Sequence, residues 1–255
     1  MSKIGMHPRL QQIEQYIIEH RHVSTNDLCE AFGVSEATIR RALEQLAPLG
    51  AIQRIHGGAV AVHQAPPEPP VLQRAQWQQG EKQRIGQATA QLINAGETVF
   101  ISSGTTSLAV AQALQHRSDL TIVTNSLPVM QCLSDSALTV IALGGMLRQS
   151  ESSFIGHLAI QGLAELRINK IVFGIRGIDI IEGLTNDYLP ETMTDRAILS
   201  AGQQVIVVAD HTKLGRTAPA FVAPLSTIDV LVTDTAADRN ICQSMQELGI
   251  LVIQA

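Results

Sequence analysis

The chain has 255 residues, 18 Lys and Arg against 23 Asp and Glu, and 45 % apolar residues. That length suits one large domain or a small domain joined to a medium one, and the apolar share excludes wholesale disorder. No apolar run approaches the roughly 20 residues of a membrane-spanning helix and no signal-peptide core follows Met1, so a cytoplasmic protein without a membrane partner is expected.

The first 63 residues read as a small unit of three helices and a hairpin. They carry no net charge and hold five of the eight histidines, while residues 64–255 carry the whole −5. Leu10, Ile13 and Ile17 recur at helical spacing after Pro8, which suits a first turn. Ser24 and Asp27 form a capping-box pattern, with Asp in the usual Glu place. Leu28, Ala31 and Phe32 give a second helix, and Gly33 stops it. Ser35 is an N-cap for a third helix from Glu36 to about Ala47. Ile52 and Ile55 then flank Gln53-Arg54, and Gly57-Gly58 turns the chain into Ala59–Val62.

Two helices joined by Phe32–Ser35 make a helix-turn-helix pattern. In the third helix Ile39, Ala42, Leu43 and Leu46 share one face. The other face presents Ala37, Arg40, Arg41 and Glu44, with Ser35, Glu36 and Thr38 at its N-terminal end. A recognition helix offers such positions to the major groove of double-stranded DNA, where arginine is the commonest reader of guanine. The hairpin would be a wing, carrying Arg54 and His56 toward the phosphates. A helical hairpin with solvated arginines has the same periodicity, so the pattern alone leaves both readings open.

Four of the ten prolines lie between Pro66 and Pro70. Such a run spaces domains semi-rigidly, so residues 64–79 are expected to be a linker and residues 80–255 a second domain. A stiff linker suits transmission between the two, and a Gly/Ser replacement of equal length is expected to weaken any ligand response.

The second domain alternates. Strands are expected at 98–102, 120–124, 139–143, 170–174, 204–209, 228–233 and 251–253. Helices are expected at 83–94, 106–115, 126–134, 157–166, 190–201 and 236–248. This is an α/β pattern with a mostly parallel sheet covered on both faces. Ligands in such sheets bind beyond the carboxyl ends of the strands. The first strand ends in Ser102-Ser103-Gly104-Thr105-Thr106, a phosphate cradle at a helix start without the lysine of a nucleotide-binding loop. The following ends carry Asn125, then Gly144-Gly145 with Arg148, then Arg176 and Asp179, then Asp210–Lys213. These four polar strand ends, on one edge with the cradle, point to a polar small molecule, with an anionic end and hydroxyls, such as a phosphorylated sugar or polyol. His211 has no partners at metal spacing. The cysteines, Cys29, Cys132 and Cys242, lie far apart and read as reduced, buried thiols, so neither metal nor cofactor is expected.

With both halves in view, the sequence resembles the DeoR family of bacterial transcriptional regulators. The resemblance is carried by Val34–Arg41 and Gly50–Ala59, and by Ser103–Thr106, Thr124-Asn125, Gly144-Gly145, Gly177–Asp179 and Asp210–Lys213. It implies a winged helix joined to a sensor domain of the sugar-phosphate-isomerase type. Members usually repress carbohydrate operons as oligomers, here a dimer or tetramer, and respond to a phosphorylated sugar. The resemblance implies that Arg40 and Arg41 contact DNA. It implies that Ser103–Thr106 and Lys213 hold the effector phosphate and that Asn125 and Asp179 meet its hydroxyls.

Two departures stand out. Ala42 follows the paired arginines where the family commonly has Asp. Ser102 stands where it often has Asp, and with Arg176 this makes the site less negative. A more anionic effector, a sugar acid phosphate or a bisphosphate, is therefore expected. The alternative is an aldose–ketose isomerase with a DNA-binding head. It needs a carboxylate base, for which Asp179, Glu182 and Glu191 are candidates, and Lys213 as stabiliser.

Overall fold

The computed structural model describes residues 8–20, 22–47, 52–55, 57–61 and 70–255. The chain divides into two compact units, Met1–Pro66 and Pro67–Ala255.

The first unit contains α1 (Pro8–His20), β1 (His22–Ser24), α2 (Thr25–Phe32), α3 (Glu36–Leu46), β2 (Ile52–Ile55) and β3 (Gly58–Ala61). Ile13, Ile17, Leu28, Ile39, Leu43, Leu46 and Ile52 form its core. The capping box is present: the Ser24 hydroxyl accepts from the Asp27 amide, and the Asp27 carboxylate accepts from the Ser24 amide, both at 3.1 Å. Gly33 closes α2 in the left-handed region at φ +61°, which a side chain would strain. Ser35 caps α3 without a side-chain bond to an amide; its hydroxyl instead meets that of Thr38 at 2.9 Å. The sequence pattern did not show β1, which is too short to alternate. It pairs antiparallel with β3 and turns the hairpin into a three-stranded sheet.

The second unit begins with α4 (Val71–Arg74) and α5 (Gln79–Ala90). It continues through β4 (Thr98–Ile101), α6 (Thr105–Leu114), β5 (Thr121–Thr124), α7 (Leu127–Leu133) and β6 (Thr139–Ala142). Next come the hairpin β7 (Met146–Arg148) and β8 (Ser153–Ile155), then α8 (His157–Ala164), β9 (Ile168–Gly174), β10 (Gly177–Asp179) and β11 (Gly183–Asn186). Last are α9 (Thr192–Ala201), β12 (Gly202–Val208), β13 (Ala220–Ala223), β14 (Val230–Thr233), α10 (Arg239–Glu247) and β15 (Leu251–Gln254).

Seven strands form one sheet in the order β15-β14-β12-β9-β4-β5-β6, and every pair is parallel. Alternate residues feed two cores. Phe100, Val123, Ile171, Phe173, Val205, Val207 and Leu231 pack with α8, α9 and α10 residues on one face. Val99, Ile101, Ile122, Val172, Ile206, Val208 and Val232 pack with α5, α6 and α7 residues on the other. Burial on both faces explains why these strands read as apolar runs. The short strands β7, β8, β10, β11 and β13 lie outside that sheet and lack a legible pattern.

The reading of residues 64–79 as linker needs correction from residue 70 onward. Val71 is buried and its amide donates to the Ser150 carbonyl at 2.8 Å. Arg74 is buried against Glu151. An apolar residue and a cation with buried partners leave the polyproline regime and pack on the second unit. Pro66, Pro67 and Pro69 lie outside the described residues. Cys242 is buried as expected, whereas Cys29 and Cys132 are half-buried.

Candidate functional site

The sheet order places the site. The chain moves from β4 outward through β5 to β6, then crosses back to β9 on the other side of β4. Connections leaving β4 and β9 therefore diverge, and the crevice beyond their carboxyl ends is where parallel sheets bind ligands. Ser102 ties the two ends together. Its hydroxyl accepts from the Gly174 amide at 2.9 Å and meets the Ser107 hydroxyl at 3.1 Å. Gly104 opens α6 at φ +111°, and a side chain there would meet no atom within 4 Å. The space before the helix start is thus empty, and first-turn amides lack intrahelical acceptors.

A cleft with about 690 Å³ of empty space, open mouth included, occupies this crevice. Nine of the expected effector residues line it: Ser102, Ser103, Gly104, Thr105, Thr106, Asn125, Arg148, Arg176 and Lys213. Three do not. Asp179 accepts from the amides of Ile181 and Glu182 at 2.9 and 3.0 Å and so caps the β10–β11 turn. Gly144 and Gly145 lead into β7; a side chain on Gly145 would come within 2.6 Å of the Ile155 carbonyl oxygen. Of the proposed isomerase bases only Glu191 lines the cleft.

Sequence reasoning missed Arg74, Glu151, Asn186 and Asp195, which also line the cleft. None sits after a strand of the main sheet, so the strand-end rule does not find them. Arg74 and Arg176 each donate to one oxygen of Glu151, both at 2.5 Å. Arg148 pairs with Glu191 and, at 3.0 Å, with Asp187, and its guanidinium lies 4.5 Å from the Tyr188 ring centre. The surplus of positive charge expected from Arg176 is thus shared with Glu151. Asp195 departs furthest. Burial, reinforced by the charge of Glu191, pushes its carboxyl well above the ordinary range. Burial also pushes Glu151 and Glu191 up, against the pull of their arginines.

Asn125 accepts from the Phe154 amide through its carbonyl and donates its side-chain amide to the Phe154 carbonyl, at 2.8 and 2.9 Å. Its side-chain oxygen is buried and has no hydrogen-bond partner among the described residues. Buried polar atoms are normally satisfied, and this oxygen is an acceptor at the wall of the cleft. Behind the cleft Asp234 holds the Asp210–Lys213 turn, accepting from the His211 amide at 2.7 Å and meeting its ring Nδ1 at 3.0 Å. Burial raises Asp234, but the amides of His211 and Ala236 outweigh it and hold the carboxyl below the ordinary range. Among the described residues no group of three or more His, Cys, Asp or Glu is placed to hold a metal.

In the first unit, Ser35, Glu36, Ala37, Thr38, Arg40 and Arg41 are all exposed on or before α3, and Arg54 is exposed on β2. His56 lies outside the described residues. Arg40 pairs with Glu36 at 2.5 Å and Arg54 with Glu44 at 3.1 Å. These exposed pairs are weak and can yield to phosphates. Ala42, by contrast, is buried with Ile39, Leu43 and Leu46.

No helix among the described residues is long and apolar enough to cross a membrane. The chain is 36 % identical over 236 residues to the glycerol-3-phosphate regulon repressor of Escherichia coli (strain K12), covering 92 % of this chain and 93 % of that protein. It is 32 % identical over 241 residues to the transcriptional repressor AccR of Agrobacterium fabrum, covering 94 % and 93 %. Among solved structures, ribose 5 phosphate isomerase A from Neisseria gonorrhoeae aligns with a TM-score of 0.39 and 14 % identity, over 52 % of each chain. The model of the DeoR-like helix-turn-helix domain matches residues 9–65, and that of the DeoR C terminal sensor domain matches residues 77–235. With both domain models matched in order and relatives aligned nearly end to end, the chain belongs to the DeoR family and is a DNA-binding transcriptional repressor with a sensor domain.

Proposed function

We propose that the sensor domain binds a phosphorylated sugar or sugar acid in the β4–β9 cleft and that this ligand controls operator affinity. The observation that carries this reading is the empty space before Gly104 at the start of α6, lined also by Arg148, Arg176 and Lys213. Helix-start amides and the helix dipole favour a phosphate there. The unpartnered Asn125 oxygen supports a hydroxyl-bearing ligand. The regulated genes then belong to carbohydrate metabolism, a reading supported by the name of the glycerol-3-phosphate regulon repressor. Ser35, Glu36, Ala37, Thr38, Arg40, Arg41 and Arg54 contact the operator, and the protein acts as a homo-oligomer whose paired heads meet two half-sites. The ligand shifts the equilibrium only by its differential affinity for the two states, and coupling of about 1–3 kcal/mol changes operator affinity about 5- to 150-fold.

A thermal-shift screen of the full-length protein against phosphorylated sugars, sugar acids and their unphosphorylated parents tests the site. A ligand at about 100 times its dissociation constant stabilises by roughly 2.7 kcal/mol. A shift with a phosphorylated compound and none with its parent is expected; shifts by the parents alone refute the phosphate reading. The buried carboxyls of Glu191 and Asp195 in the cleft keep an isomerase as the second reading. Absence of turnover in a coupled isomerase assay, with ligands that do shift the melt, removes it.

A further inference from the structure

We propose that Arg74 is a ligand-binding residue, carried into the cleft by the strap of residues 70–78, and that an anion in the cleft pins this strap to the sheet edge. The proposal rests on the reading that the cleft takes a phosphate-bearing ligand. Arg74 lines the same space as Gly104 and Thr105, though it precedes them by some thirty residues and belongs to no strand end. It is only 7 % exposed. It shares one carboxylate, Glu151, with Arg176, which also lies 3.6 Å from Asp187. A guanidinium offers five donors in a planar fork, and a phosphate matches that fork. An anion that enters beside Glu151 therefore meets donors from the strap and from the end of β9 together.

The strap is also attached through its backbone. The Val71 amide donates to the Ser150 carbonyl at 2.8 Å. Lys82 Nζ, on α5, donates to the carbonyls of Arg74 and Trp77 at 3.1 and 2.5 Å. Ser150 and Glu151 sit in the β7–β8 turn, beside Arg148, which also lines the cleft. The strap is thus held by the loop that carries the ligand's own contacts. Pinning it fixes the point from which the chain runs back to the helix-turn-helix unit, which ends by Pro66. Ligand occupancy and the position of that exit point become one equilibrium.

Hydrogen exchange of the full-length protein, read by mass spectrometry, tests this with inorganic phosphate against chloride at matched ionic strength. Peptides over residues 71–78 and 102–108 are both expected to exchange several-fold more slowly in phosphate. In Arg74→Gln the 102–108 peptide still slows, the 71–78 peptide does not, and the phosphate dissociation constant rises about ten-fold, as for a lost charged hydrogen bond. Arg74→Lys keeps the charge but not the fork, and is expected to fall between. Slowing at 102–108 alone in the wild-type protein overturns the strap proposal and leaves the phosphate reading standing. Slowing at 71–78 that survives in Arg74→Gln overturns the role of Arg74. No slowing at either peptide overturns both readings. The wild-type comparison decides the strap proposal even if a variant fails to fold.

Discussion

Ser102 is the residue on which the geometry of the cleft turns, and two substitutions separate its roles. Its hydroxyl is buried, accepts from the Gly174 amide at 2.9 Å, and meets Ser107 at 3.1 Å. Ser102→Ala leaves the Gly174 donor inside the protein without that acceptor. An unsatisfied buried donor costs about 1–3 kcal/mol, and a unit of this size loses about 2–4 °C of melting temperature for each kcal/mol. A central estimate of about 2 kcal/mol gives a fall of about 4–8 °C in the sensor-domain transition. Ser102→Asp restores the residue that the family often carries here. It keeps an oxygen for Gly174 but adds a negative charge beside the cleft. A carboxylate lining the cleft repels a bound phosphate, an effect large enough to read as a loss of affinity. Calorimetric titration with inorganic phosphate and thermal melts of both variants form the assay. Ala is expected to lose stability with a modest loss of affinity, and Asp to lose at least ten-fold in phosphate affinity. If Ala melts within a degree of the wild type, Ser102 does not tie the strand ends; if Asp binds phosphate as tightly, it does not set the charge of the site.

The remaining predictions concern other links in the structure. Gly58→Ala places a methyl 2.2 Å from the Val23 carbonyl oxygen and should break the β1–β3 pairing; circular dichroism and melting of the full chain should show a loss of about 2 kcal/mol or more in the helix-turn-helix transition, and an unchanged melt refutes it. Asp195→Asn should stabilise the sensor domain at neutral pH. Because the folded carboxyl titrates above its unfolded value, the native state holds the proton longer, and wild-type stability falls as pH rises from the ordinary carboxylate range to the raised folded value. The advantage of Asn should therefore vanish as urea melts are taken down to acid pH; an advantage that persists there means the gain is not electrostatic. Arg40→Ala combined with Arg41→Ala should leave the melt nearly unchanged, since both residues are exposed. The slope of log K against log salt on random-sequence duplex should drop by about one for each lost phosphate contact, and an unchanged slope excludes phosphate contacts for both.

Much of the architecture was legible because it is local. The turn at Gly33, the capping box of Ser24 and Asp27, and the exposed stripe of Arg40 and Arg41 follow from side chains a few residues apart. The five inner strands of the sheet are legible for a related reason: a strand covered on both faces must be apolar along its length, and Val205–Val208 or Val230–Val232 satisfy this without reference to any neighbour. The strand ends that line the cleft, Ser102–Thr106, Asn125 and Lys213, follow once a parallel sheet is granted.

What the sequence could not assign depends on pairing across the chain. It could not say that β9 crosses back beside β4, and that order decides which polar strand ends converge and which do not. Asp179 looked like a ligand residue but spends its carboxylate on two amides of its own turn. Arg74 looked like part of a linker but finds Glu151, 77 residues away, which also meets Arg176. Periodicity and turn chemistry act over a few residues, so one dimension records them. A buried charge is tolerated only where its partner is, and that partner is chosen by packing in three dimensions.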